Sequence, residues 1–409
     1  MGLISQWLPN LHTLTLALPN VWNNGRELDD YCKDYLVSVY PKNLVELRII
    51  SNSRGYGRVS ATFVSTLCLT LRECCSDLKS LILDKTVMCS ESDSNFSEMW
   101  TGLSGFQRVD LSFSCHSANS LAIWRHLPDS IKSLCFHNYY CAEPFLLQSS
   151  DDQLCSSLEN LTIHDVAIDI PLLPENVCVF PHLKFLKVVS FDKDCPSVNW
   201  HRLCDGGELE AFHFHLDEER NIRSQVPSLQ TLEWIAARNP YLSEICLRLC
   251  HTVDCSRLLS GLASIPTLRK LTTRFGCWYE DGTFTYLRNL SVSPVETMVV
   301  SFSGVEVPTA LVSILGRNYS GLKNLKLRFW LVSGKSSKSS FLRLRLPRLE
   351  TFEISCIDPT YLTKLNLGLS TGDCLREIVI SRNPRRFLFR NDLVNCLKSD
   401  FLEVHTTKP

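Results

Sequence analysis

The sequence of 409 residues lacks the segments that would place it in a membrane or in a secretory pathway. No run reaches the roughly 18 uninterrupted apolar residues of a membrane helix, because Arg, Lys, Asp or Glu interrupts every candidate. The N-terminus has neither the basic stretch nor the apolar core of a signal peptide, and Gln6 stands where a myristoylation motif needs Ser or Thr. We therefore predict an intracellular protein, cytoplasmic or nuclear, that does not span a membrane.

Catalytic signatures are missing as well. The chain has no phosphate-binding P-loop, no GxGxxG, GxSxG or HExxH motif, and no paired carboxylates with supporting residues. The formal net charge of −1 provides no overall attraction to nucleic acid. We predict that the protein is not an enzyme, has no catalytic residues and no cofactor, and that nucleic acid is not its partner.

Cysteine is abundant, but its spacing is irregular. The 19 cysteines run from Cys32 to Cys396 without regular CxxC pairs. This pattern argues against a disulfide framework and against a zinc ribbon. The expected state is a set of buried, reduced thiols.

A six-residue pattern with apolar residues at positions 1, 4 and 6, here called the hexad, recurs along the chain. Successive copies start 25 to 34 residues apart, which is the period of leucine-rich repeats. The fourteen copies start at Leu11, Leu44, Leu78, Phe106, Ile131, Leu158, Leu183, Leu209, Leu242, Leu268, Val295, Leu322, Leu349 and Leu375. Two further matches, at Leu229 and Leu362, start only 13 residues before another copy, so we assign both to helices on the outer side.

The hexad predicts a short strand, because its positions 4 and 6 point to one side and its positions 3, 5 and 7 to the other. Segments 63–74, 225–238 and 308–317 have the helical period instead. Residues 332–348 are interpreted as a polar loop and a basic stretch on the convex side. The predicted fold is one α/β domain over residues 1–409, a right-handed leucine-rich-repeat solenoid (horseshoe) with a parallel concave sheet, convex helices and a C-terminal cap at 391–409.

The repeats resemble the cysteine-containing leucine-rich repeats of F-box proteins, which are of the ribonuclease-inhibitor-like type. The resemblance rests on the period of about 26 residues, on Cys250 three residues after a hexad, and on the joint at residues 237–247; it covers about residues 8–405. It implies the substrate-recognition part of an F-box-type ubiquitin ligase, with a cullin-ligase adaptor as partner. The N-terminal box is not visible before Leu11, so we expect a truncated chain or a protein that works without it. A stand-alone scaffold or inhibitor-type binding protein is the alternative.

Positions 3, 5 and 7 of the later repeats form the candidate partner-binding surface. Residues 242–409 carry 23 basic and 14 acidic side chains, a net charge of +9, whereas residues 1–241 carry 19 and 29, a net charge of −10. An acidic or phosphorylated protein partner would match the basic strands, although a solvated strand face is the alternative. The candidate residues are Phe185, Lys187, His213, His215, Arg248, Lys270, Arg274, Lys326 and Arg328.

Histidines on this face raise the question of a metal. His213 and His215 share a side of one strand, and His137 and His164 hold the repeat position of His215. Since no carboxylate or cysteine completes a set at a defined spacing in the sequence, we predict no metal site. The run Cys246, Cys250, His251, Cys255 is also assigned to structure, because the repeat phase places Cys246 on the concave face and Cys250 in a buried slot.

Overall fold

A computed structural model gives the architecture of the chain in two compact units, Met1–Leu209 and Glu210–Pro409. The predicted single domain stays a prediction, and the predicted cap at 391–409 lies outside the described residues. The structure describes residues 10–18, 43–51, 57–60, 65, 67–69, 71–72, 75–89, 101–114, 131–137, 145–146, 157–164, 168–169, 180–190, 200–216, 227–249, 254–276, 293–303, 308–330, 340–356, 365–370 and 374–382.

The first unit is built on parallel strands in the order β1-β2-β4-β5-β6-β8-β10, with β3 beside β4 and a separate pair β7-β9. The strands are β1 (Thr13–Leu18), β2 (Glu46–Ser51), β3 (Gly57–Ser60), β4 (Ser80–Cys89), β5 (Arg108–Ser114), β6 (Ile131–His137), β7 (Phe145–Leu146), β8 (Asn160–His164), β9 (Ile168–Asp169) and β10 (Phe185–Ser190). A short helix, α1 (Trp200–Leu203), follows β10.

The second unit repeats this plan in the order β11-β12-β13-β14-β15-β17-β19, with a separate pair β16-β18. Its strands are β11 (Ala211–Leu216), β12 (Glu244–Leu249), β13 (Lys270–Phe275), β14 (Thr297–Ser303), β15 (Asn324–Trp330), β16 (Ser340–Arg345), β17 (Thr351–Cys356), β18 (Leu365–Ser370) and β19 (Glu377–Arg382). Its described helices are α2 (Leu229–Arg238), α3 (Cys255–Leu262) and α4 (Thr309–Asn318).

Every hexad forms a strand of one of the two main strand series. Thirteen of these strands begin at hexad position 3, and β6 begins at position 1. The apolar positions are buried as predicted: in the repeat of β15, Leu322, Leu325 and Leu327 are no more than 2% exposed. The predicted fold class, an α/β leucine-rich-repeat solenoid, is confirmed.

Backbone hydrogen bonds fix the register between successive repeats. The carbonyl oxygen at hexad position 2 accepts from two consecutive amides of the next repeat, those at positions 2 and 3. Ser243 O, for example, lies 2.8 Å from Arg269 N and 2.9 Å from Lys270 N, and Glu296 O lies 2.9 Å from the amides of Lys323 and Asn324. Because peptide groups make these bonds, the register does not depend on the side chains at positions 2 and 3.

Helices form the second layer of the second unit. The Ser228 hydroxyl accepts a hydrogen bond from Thr231 N at 3.1 Å and caps α2, and the Asp254 carboxylate caps α3 through Arg257 N at 3.0 Å. Helix α3 packs against both α2 and α4. The helices predicted within 225–238 and 308–317 are confirmed, and the described residues of 63–74 are helical. In the described part of the chain, no helix is long and apolar enough to cross a membrane.

The second hexad match near Leu362 was assigned to a helix, and that prediction is wrong. Residues Leu365–Ser370 form β18, which pairs in parallel with β16. Strand β16 lies in the segment 332–348 that was predicted as a loop, and it packs against α4. The reason is the period: Leu365, Leu367 and Leu369 alternate with other residues, as a strand requires, and Gly368 disfavours a helix.

One hexad buries a polar group, which leads to a stability prediction. Thr273 holds the inward position 6 of β13 with 0% exposure, and its hydroxyl has no hydrogen-bond partner. Val has the same shape without this unsatisfied group, so we expect Thr273→Val to raise the free energy of unfolding by about 1 kcal/mol. Urea denaturation measures this change. Thr272→Val, on the opposite side of the strand, is the control and should change stability by less than about 0.5 kcal/mol.

Candidate functional site

The parallel register aligns the outward residues of the second unit into rows that run across its strands. We call the side that carries hexad positions 3, 5 and 7 the open face, because positions 4 and 6 point into the core beneath the helices. Each row contains the same hexad position from consecutive strands. The position-7 row consists of His215, Arg248, Arg274, Ser301, Arg328 and Ser355.

Three arginines of that row, Arg248, Arg274 and Arg328, form what we call the arginine row. Arg248 and Arg328 are exposed, and Arg274 is partly buried. Arg248 lies directly beside Arg274 in the register, on strands about 4.8 Å apart. Like charges placed in this way repel each other. Among the residues that the structure describes, none forms an ion pair with Arg248 or Arg328.

The two predicted lysines of this unit differ from the arginines because carboxylates neutralise them. Lys270 Nζ lies 2.9 Å from Glu244 Oε2, and Lys326 forms an ion pair with Glu353 on the next strand. The sequence interpretation missed Glu353, although its hexad position 5 matches that of Lys326 and would have identified the pair. The cationic part of the open face is therefore narrower than predicted and consists of the arginine row.

A cluster of His213, His215 and Cys246, here called the histidine–cysteine cluster, lies beside the arginine row. The two imidazole rings stack with centroids 6.3 Å apart and planes inclined by 17°. Cys246 lies directly beside His213 in the register and is only 6% exposed. Cys246 Sγ is 3.6 Å from His215 Nε2, and His213 Nε2 is 3.2 Å from Glu244 Oε1.

The sequence argument against a metal overlooked this arrangement. It stated that no cysteine completes the histidine pair, whereas the structure places Cys246 of the adjacent strand there. Alignment of the hexads gives the signal that was missed, because Cys246 and His213 both hold position 5. Cys246 faces the open side as predicted, Cys250 and His251 lie outside the described residues, and Cys255 is buried at the start of α3.

The remaining candidates, Phe185 and Lys187, lie on β10 of the first unit, beside Asn160 and Thr162 of β8. His137 and His164 lie side by side in the register of β6 and β8.

Charges on the described strands of the first unit compensate one another. Arg108 pairs with Asp110 at 2.9 Å, and the hydrogen bond from its side chain to Asp110 raises the pKa of Arg108. Glu159 pairs with Lys184 at 3.0 Å and with Lys132 at 3.7 Å. The Lys184 hydrogen bond lowers the pKa of the Glu159 carboxyl below its usual value.

Buried thiols of the first unit have a structural role. Cys68 is fully buried beneath the strands, and burial raises the pKa of its thiol to about 12. A thiol with this pKa stays protonated near neutral pH and is a weak nucleophile. Cys75 and Cys204 are buried as well, which fits the expected use of cysteine as a small apolar residue.

Comparisons with known proteins add one structural likeness. No protein-family model matches the chain, and no curated protein matches it. Among solved structures, the leucine-rich repeat-containing protein LegL7 from Legionella pneumophila aligns with 12% sequence identity over 78% of this chain and 83% of its own, at a TM-score of 0.32. The fold assignment rests on the hexads and on the parallel strands that they form.

Proposed function

We propose that the protein is a binding module whose open face in the second unit holds an acidic or phosphorylated segment of a partner protein. The observation that supports this proposal is the arginine row, in which three guanidinium groups share one register position while neighbouring lysines are paired with carboxylates. Guanidinium groups form bidentate, charge-assisted hydrogen bonds with carboxylates and phosphates.

Repulsion within the row favours an anionic ligand. The Arg248 and Arg274 side chains start from adjacent strands, and Arg328 lies two strands beyond Arg274, so the side chains are spaced by about 5 and 10 Å. A segment that crosses the strands could place successive anionic groups along this line. Binding would relieve the repulsion that the free protein contains.

The finer proposal follows from the resemblance to F-box repeats. In this reading the bound segment belongs to a substrate of a ubiquitin ligase, and the protein joins that ligase through a cullin-ligase adaptor. Purification of the endogenous protein with its partners, followed by mass spectrometry, tests this step. Cullin-ligase subunits among the partners would support it, whereas a reproducible partner without ligase subunits would support the stand-alone scaffold.

Charge reversal of the arginine row tests the binding proposal itself. We expect the triple variant Arg248→Glu, Arg274→Glu, Arg328→Glu to lose at least about 100-fold in affinity for the captured partner, because each charge-assisted contact contributes about 1.5–3 kcal/mol. Titration of the labelled partner segment at fixed salt measures the loss.

A matched control changes the same net charge elsewhere. Arg257, Arg348 and Arg376 are exposed and lie outside the arginine row, so their replacement by Glu should leave the affinity within about threefold. Equal affinities of wild type and the arginine-row variant would rule out the arginine row as the binding surface. Equal losses in both triple variants would show a general charge effect instead.

A further inference from the structure

The histidine–cysteine cluster has no part in the proposed binding of an anionic segment. We propose that His213, His215 and Cys246 form a zinc site with three protein ligands on the open face of the second unit. One potential ligand atom from each residue lies within 4.8 Å of the other two. The inference is independent of the arginine row.

The backbone brings the three ligands together. His213 and Cys246 are register partners on β11 and β12, and His215 follows two residues after His213 on the same side of β11. This placement is set by the parallel ladder, so the cluster does not depend on a loop. Sites built on strands hold their ligands more rigidly than sites built on loops.

The distances suit a tetrahedral ion. With Zn–S near 2.3 Å and Zn–N near 2.0–2.1 Å, a sulfur and a nitrogen bound to one zinc lie about 3.6 Å apart. Cys246 Sγ and His215 Nε2 are 3.6 Å apart. The widest pair in the cluster, at no more than 4.8 Å, has to close by roughly 1 Å, which side-chain rotation provides.

The donor set is specific for a transition metal. Thiolate and imidazole are the ligands that zinc prefers, whereas magnesium and calcium prefer oxygen. Zinc would displace the thiol proton of Cys246 to solvent, forming the Zn–S bond as the S–H bond breaks. Three protein ligands leave a fourth position for water or an external ligand.

Glu244 supplies the surrounding support. Its Oε1 is 3.2 Å from His213 Nε2, while its Oε2 is 2.9 Å from Lys270 Nζ. A carboxylate held in this way orients a metal-bound imidazole through the ring nitrogen that does not face the ion. We therefore assign Glu244 as a positioning residue and not as a ligand.

Cobalt(II) is the probe for this site, because it replaces zinc and absorbs visibly when a thiolate is bound. Metal-free, reduced full-length protein is titrated with CoCl₂ and then with ZnCl₂. We expect a thiolate-to-cobalt charge-transfer band that saturates at one equivalent in wild type and disappears when zinc displaces cobalt. The band should be lost in Cys246→Ser and in His215→Gln.

Cys374→Ser is the matched control, because Cys374 is an exposed thiol outside the cluster; it should keep the band. Circular dichroism verifies that each variant is folded. A folded wild type without a thiolate band, or a band that persists in folded Cys246→Ser, would overturn the proposal. Should both ligand variants unfold, the wild type still decides: one equivalent of zinc must raise its melting temperature, and no rise would contradict the site.

Discussion

Leu325→Asp is expected to unfold the second unit or to lower its free energy of unfolding by more than about 4 kcal/mol. Leu325 holds hexad position 4 of β15, is 2% exposed, and lies between Met298 and Phe352, both fully buried. An Asp carboxylate there would have no described cation or donor within the core, so the variant would bury an unpaired charge or open the sheet. Urea denaturation followed by circular dichroism measures the effect.

Two controls separate the charge from the site of the change. Leu325→Met keeps an apolar side chain of similar volume and should cost less than about 1.5 kcal/mol. Arg328→Asp places the same carboxylate on an exposed position of the same strand and should change stability by less than about 1 kcal/mol. If Leu325→Asp melts like wild type, the inward phase of the hexad is wrong.

Gly206→Ala is expected to destabilise the first unit by roughly 2–3 kcal/mol. A Cβ atom on Gly206 would lie 2.4 Å from Phe180 O and 2.9 Å from Pro181 O. Both are backbone atoms of the preceding repeat, so the methyl group cannot be accommodated by a side-chain rotation. The midpoint of urea denaturation in wild type and variant gives the size of the effect.

Gly105→Ala is the matched control for this steric argument. Its added Cβ would approach the Arg72 guanidinium, 1.9 Å from one of its nitrogens. Arg72 is exposed and flexible, so it can move away at a cost of about 0.5 kcal/mol or less. Similar losses in both variants would show that the close approach of the backbone at Gly206 does not decide stability.

Much of the fold could be predicted from the sequence because the hexad reports two physical facts at once. Its period of two gives the strand, and its repetition gives the parallel register that places Leu271, Met298 and Leu325 side by side. The copy at Leu362 was misassigned because spacing was given more weight than alternation. A strand pair replaces a helix there, and only the pairing of β18 with β16 reveals it.

The site was predicted less completely, since a list of outward residues does not state which of them meet. The pairs Lys270–Glu244 and Lys326–Glu353 join residues about 26 positions apart in the chain. The same holds for Cys246 and His215. Reading each hexad position down the aligned repeats would have found these neighbours, because the register is constant from β11 to β15.

The doubled hydrogen bond between repeats also determines where proline can occur. Because the amides at hexad positions 2 and 3 both donate to the preceding repeat, a proline there would remove a bond that holds two repeats together. None of the fourteen hexads contains proline at either position, whereas Pro181, Pro266 and Pro347 each lie two residues before a hexad. Proline therefore marks the joints of this chain, and a proline scan would trace the boundary between each joint and its strand.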